Sequence, residues 1–296
     1  MTAPPQVAQL ARLRAHEPER ITAALATRTP GAMPAPGEHL MIIAADHPAR
    51  ASLAAGSDRL AMADRADLLA RCGEALTRPG VHGFLGTADL IEDLTVLGAL
   101  EGKLVFGSMN RAGLAGSVFE ADDRFTGYDA EGVALAGLDG GKMLLRLDPE
   151  DPATPRTLAA SAEAVNALAA RDLTAMVEPF WSTSAGGRLR NNLSPDAVIH
   201  SIAVASGLGR TSARTWLKLP AVEDIERVLA ATTLPCLLLG GEVPQDPDAA
   251  LTLWQRALAC ENALGLVIGR AMLYPPDGDV AAAVDAAVSL LSRRPA

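Results

Sequence analysis

The sequence predicts an α/β protein: a single (β/α)8 TIM barrel carrying an extra helix at its N-terminal end. Three observations support this. Short apolar runs recur along the 296 residues, and each is followed by a longer helical stretch. There are eight such runs, the number that closes a parallel barrel. No Gly-x-Gly-x-x-Gly follows the first run, which argues against the open doubly wound sheet as the competing architecture. At 49% apolar residues the chain has ample material for a core of this size.

In chain order, Pro5 to Thr27 reads as one helix, and 29–37 reads as a Pro/Gly linker too short to separate domains. Residues 1–37 are therefore expected to pack on the barrel bottom, with 38–296 forming the barrel. The candidate strands are His39 to Ala45, Val81 to Leu85, Lys103 to Gly107 and Lys142 to Leu147. They continue with Leu173 to Glu178, Thr215 to Leu219, Pro235 to Gly240 and Gly265 to Gly269. Helical patterns lie between them at Ala61 to Leu76, Leu158 to Ala170, Pro195 to Gly207, Val222 to Ala231, Ala249 to Ala263 and Asp279 to Leu291. Two connections are long and rich in glycine: Asn110 to Gly137, and Thr183 to Asn192 with Gly186 and Gly187. Long loops after barrel strands shape the rim of the active site.

The net charge of −9 leaves no basic stripe for nucleic acid. The apolar runs are strand-sized, so no membrane span is expected, and Met1-Thr-Ala-Pro-Pro-Gln lacks the pattern of a secretory leader. Cys72, Cys236 and Cys260 are odd in number and widely spaced, as in a reduced, cytoplasmic protein. His16, His39, His82 and His200 show no metal-ligand spacing, so neither a metal nor another cofactor is expected.

Lysine occurs only three times, as Lys103, Lys142 and Lys218, each within or at the end of an apolar strand. A desolvated lysine loses protons readily and becomes a nucleophile near neutral pH, which is what imine chemistry requires. In a barrel, functional groups gather where strands end. The polar residues placed there are Asp46, His47, Lys142, Glu178, Lys218 and Arg270. The bland alternative is a buried ion-pair network that only fills the barrel. Gly240 and Gly241 after the seventh strand, with Gly269 and Arg270 after the eighth, fit the phosphate site common to such barrels. Trp181 is a candidate pocket wall and Tyr128 a candidate proton donor, whereas Trp254 reads as core. Asp89, Glu92 and Asp93 read as the solvated or capping turn of a helix.

These residues resemble a known family. Ile43-Ala-Ala-Asp46-His47, Gly83-Phe-Leu-Gly-Thr-Ala-Asp-Leu, Gly141-Lys142-Met-Leu-Leu, Met176-Val-Glu178-Pro and Trp216-Leu-Lys218-Leu-Pro are similar to motifs of the class I aldolases. That superfamily groups deoxyribose-phosphate, tagatose-bisphosphate and archaeal-type fructose-bisphosphate aldolases. Leu238-Leu-Gly240-Gly241 and Val267-Ile-Gly269-Arg270 resemble its phosphate loops. The resemblance implies a metal-independent lyase acting on a phosphorylated sugar or keto-acid, and a homo-oligomer is expected. It implies that Lys218 forms the imine, Glu178 moves protons, Lys142 keeps Lys218 reactive and Asp46 engages a substrate hydroxyl. It also implies that His47, Gly240, Gly241, Gly269 and Arg270 bind substrate. His47-Pro48-Ala49-Arg50 in place of a glycine-rich turn, and the long third loop, make this look like a divergent, actinobacterial-type branch. Two other functions fit a sugar-phosphate barrel: a sensor or regulator, and an isomerase in which lysine polarises a carbonyl without forming an imine.

Overall fold

A computed structural model describes residues 5–111, 113–185, 188–241 and 247–291; Gly186 and Gly187 lie outside the described residues. Eight parallel strands close into a barrel. They are β1 (Leu40–Ala44), β2 (Gly83–Gly86), β3 (Leu104–Ser108), β4 (Gly140–Leu147), β5 (Thr174–Ala185), β7 (Thr215–Pro220), β8 (Cys236–Leu239) and β9 (Ala263–Ile268). The ninth strand of the sheet, β6 (Arg188–Asn191), pairs antiparallel with the end of β5. Closure is completed by β4 pairing with β5, and β1 with β9. All eight expected strands are present. The loop expected at Thr183 to Asn192 is instead a hairpin, because β5 runs on through Trp181, Ser182 and Thr183, residue types that suit an extended pleated strand.

Alternation along each strand sorts side chains into two cores. Met41, Ile43, Met143, Leu145, Val177, Leu217 and Leu219 face the helices. Leu40, Ile42, Phe106, Met176, Leu237 and Val267 fill the barrel interior, with Trp216 packed against them. At about 25 cal/mol per Å² of apolar surface removed from water, these layers dominate the stability. The inward series continues upward as Asp46 after β1, Ser108 on β3, Lys142 on β4, Glu178 on β5 and Lys218 on β7. The sequence period that builds the core thus also aims the charged groups.

The helices cover the outside. The amphipathic stretch starting at Ala61 becomes a helix only at α3 (Arg65–Thr77), because the Asp64 side chain accepts from the Ala66 and Asp67 amides at 2.8 and 3.1 Å and caps it. The N-terminal segment is two helices rather than one, α1 (Pro5–His16) and α2 (Glu19–Thr27), broken at Pro18. They contact α3 and α4 (Ala88–Val96). Arg14 of α1 pairs with Glu92 at 3.1 Å and with Asp93 at 2.5 Å, which gives the acidic turn of α4 a docking role. Behind α2, Arg28 donates to the carbonyls of Lys103 (2.7 Å) and Gly137 (2.8 Å) at the N-terminal end of the barrel. Lys103 also lies at that end, donating to Val81 O at 2.6 Å, far from the other two lysines. Among the described residues no helix is long and apolar enough to cross a membrane.

Candidate active site

Glu178 bridges two lysines. Its Oε1 accepts from Lys218 Nζ at 2.8 Å and its Oε2 pairs with Lys142 Nζ. The register explains how strands β4 and β7 reach the same carboxylate. Met176 pairs with both Lys142 and Trp216, so Lys218 and Glu178 each stand two residues above that level. Lys142 starts one layer lower and reaches up on its four-carbon stem. It is 1% exposed and Lys218 4%.

Asp46 closes the cluster from the other side. Its Oδ2 accepts from Lys142 Nζ at 3.2 Å and Ser108 Oγ at 3.0 Å, and it forms an ion pair with the Arg111 guanidinium. Arg111 also donates from Nε to Ser108 Oγ at 2.6 Å. Around this lies a second, self-paired set. Arg146 on β4 pairs with Asp123 and reaches Glu120 at 3.7 Å, and Arg50 reaches the same Glu120 at 3.7 Å.

Burial dominates the ionisation of the lysines. It pushes Lys142 well below the ordinary lysine range, with the Arg111 charge adding to the effect against the pull of Glu178. Lys218 is lowered by the same loss of solvent, which outweighs Glu178 and is helped by Arg111 and Arg270. For Glu178, burial disfavours the charge, yet the two ammonium groups prevail and hold the carboxyl well below the usual carboxylate range. Desolvation and the cations Arg270 and Lys218 keep His47 neutral. The site therefore offers an ionised carboxylate between two amines whose hold on their protons burial has weakened.

His47, Gly269 and Arg270 meet at the adjoining rim. A side chain at Gly269 would collide with the Ala44 carbonyl and the His47 ring, so only glycine lets β1 and β9 end this close together. Gly241 has φ +67°, a turn that glycine adopts without strain. Arg270 is half-buried between the two loops, donating to Ala54 O and Gly241 O at 3.4 Å each.

Two candidates fall elsewhere. Trp181, one residue out of phase with the inward series, faces the helix layer, its ring centroid 5.3 Å from that of His200. Tyr128 packs behind Gly107 in the outer core. Conversely, sequence reasoning passed over Ser108, Asn110, Arg111 and Arg146. Three of these continue the inward series of β3 and β4 at two-residue spacing, a signal that could have found them. Asn110 joins its loop to β4 as a backbone would, accepting from Leu144 N at 2.7 Å and donating to Leu144 O at 2.5 Å.

Comparison with known proteins follows this geometry. The sequence model of a family described as Cgl0159-like matches residues 38–288. The crystal structure of Cgl0159 from Corynebacterium glutamicum superposes with a TM-score of 0.94 at 49% identity, over 98% of each chain. A Schiff-base-forming fructose-1,6-bisphosphate aldolase gives a TM-score of 0.66 at 18% identity, over 92% of this chain and 99% of that one. An archaeal fructose 1,6-bisphosphate aldolase gives 0.67 at 18%, over 92% and 98%. At these lower identities the likeness is one of fold. No curated protein sequence matches.

Proposed function

This chain belongs to the Cgl0159-like family, and we propose that it acts as a class I aldolase, making or breaking a carbon–carbon bond through an imine on Lys218. The observation that carries the reading is the Glu178 carboxylate bridging two desolvated amines at the C-terminal mouth of the barrel. A neutral Lys218 amine attacks the substrate carbonyl carbon and gives a carbinolamine. Glu178, within hydrogen-bond reach of both amines, passes the proton of the attacking nitrogen to the carbinolamine oxygen and then one from the Lys142 ammonium to the departing hydroxyl, which leaves as water. The cationic imine then accepts the electron pair of the breaking C–C bond as the substrate hydroxyl gives its proton to Glu178, which returns it to Lys142. Asp46, held by Ser108, Lys142 and Arg111, hydrogen-bonds the substrate's hydroxyls. Lys142 supplies positive charge beside the nucleophile. The fold shared with Schiff-base aldolases supports the reading, and a divergent branch agrees with the low identity to them. The test is borohydride reduction in the presence of a panel of phosphorylated ketones and aldehydes, followed by peptide mass mapping. The adduct is expected on Lys218, and an adduct on Lys142 or Lys103 would overturn the assignment.

Because the imine is the electron sink, turnover should survive exhaustive EDTA treatment. Loss of activity restored by zinc or another divalent ion would point to a metal-dependent mechanism instead.

Arg270, beside Gly240, Gly241 and Gly269, is the proposed holder of the substrate's phosphate, with His47 alongside it. A charge-assisted hydrogen bond of about 1.5–3 kcal/mol corresponds to roughly 10- to 100-fold in affinity. Arg270→Ala is expected to raise KM for a phosphorylated substrate by that factor and to leave the unphosphorylated analogue nearly unchanged. Equal effects on both would make Arg270 a structural residue.

A further inference from the structure

We propose that Arg111 is a positioning residue for the lysine pair: seated on Asp46, its fixed positive charge gives the buried cluster one more cation than it has carboxylates, so that one lysine gives up its proton. The inference deepens the imine reading and rests on it. Without Arg111 the inner cluster would hold Lys142 and Lys218 against Asp46 and Glu178, two charges of each sign. Such a balanced set in a low-dielectric site pins both lysines as ammonium ions, and an ammonium ion is no nucleophile. Arg111 breaks the balance. A guanidinium keeps its proton where an ammonium would lose it; burial brings Arg111 down only to about 10. The excess charge is therefore relieved only by a proton leaving a lysine, and Glu178, touching both amines, allows either to be the neutral one.

The other groups facing the cluster do not cancel this excess. Arg146 and Arg50 are matched by Asp123 and Glu120. His47 is neutral, and Arg270, on the adjoining rim, acts in the same direction as Arg111. Ser108 bears no charge, but it holds Arg111 Nε and Asp46 Oδ2 together. The guanidinium is thus fixed on the carboxylate oxygen that also meets Lys142. It comes from the long loop after β3, whose base Asn110 ties to β4.

The chain's three lysines make the test direct. With lysine 13C-labelled at Cε, the buried pair can be followed by NMR through a pH titration. Arg111→Met should raise the titration midpoint of the pair by a pH unit or more. Asp46→Asn should lower it, and the double variant, with its one-charge excess restored, should return towards the wild type. An unmoved midpoint in a folded Arg111→Met protein would overturn the proposal. If that variant fails to fold, an unmoved or raised midpoint in Asp46→Asn would do so. Borohydride trapping of dihydroxyacetone phosphate on the same proteins separates the two ideas. Trapping that shifts to higher pH in Arg111→Met supports both. A wild type that traps none of the phosphorylated carbonyl panel at any pH defeats the imine reading, while the titration still decides the role of Arg111.

Discussion

Replacing Lys218 with Ala or Met should reduce turnover to background, a loss on the order of 10⁴-fold or more, the scale on which removal of a covalent nucleophile registers. Borohydride trapping should vanish with it. The protein should still fold, because Glu178 keeps Lys142 as its partner and the barrel interior below is apolar. Met, which keeps the aliphatic volume, guards against a cavity artefact. Lys142→Met, by contrast, should slow turnover, retain some trapping and move the pH optimum upward, since one positive charge of the cluster on Glu178 is gone. Full activity in a folded Lys218→Met protein would remove the imine from the mechanism.

Glu178→Gln should cost roughly 10²- to 10⁴-fold in turnover, the range expected of a positioned general acid–base group. The sign of its pH effect is distinctive. The carboxylate favours the ammonium forms of both lysines, so removing its charge should shift the pH dependence of trapping downward, opposite to Lys142→Met. An isosteric amide preserves the packing, so circular dichroism should be unchanged. A loss of turnover with no displacement of the trapping profile would mean that Glu178 does not govern the amines electrostatically.

The barrel was legible in the sequence because the two-residue period of each strand is written in apolar residues that anyone can count. Where that period carries polar residues, the reading faltered. Lys142, Glu178 and Lys218 stood out as charges inside apolar runs, and the structure brings all three together with Asp46. Arg146 sits in the same run as Lys142, yet it was passed over, because arginine is common throughout this chain and lysine is rare. Arg111 was hidden for another reason. It follows β3 within a loop whose path depends on Asn110 bonding to Leu144, a contact between residues 34 positions apart that no local pattern announces. The break at Pro18 could have been read from proline alone. The extension of β5 into a hairpin could not, since the glycines after it read equally well as an irregular loop.

The seat of the N-terminal segment has a consequence for how the protein is made. Arg28 is held by the carbonyls of Lys103 and Gly137, and Arg14 by carboxylates of α4, so these residues meet partners that lie 75 to 109 positions further along the chain and leave the ribosome later. Helices α1 and α2 must wait, with their apolar side uncovered, until α3 and α4 have emerged, and Arg28 behind them until α5 (Ala130–Leu135) has followed. The nascent chain thus passes through an interval in which α1 and α2 are available to chaperones, and the seating of Arg28 waits on the stretch that follows the third strand.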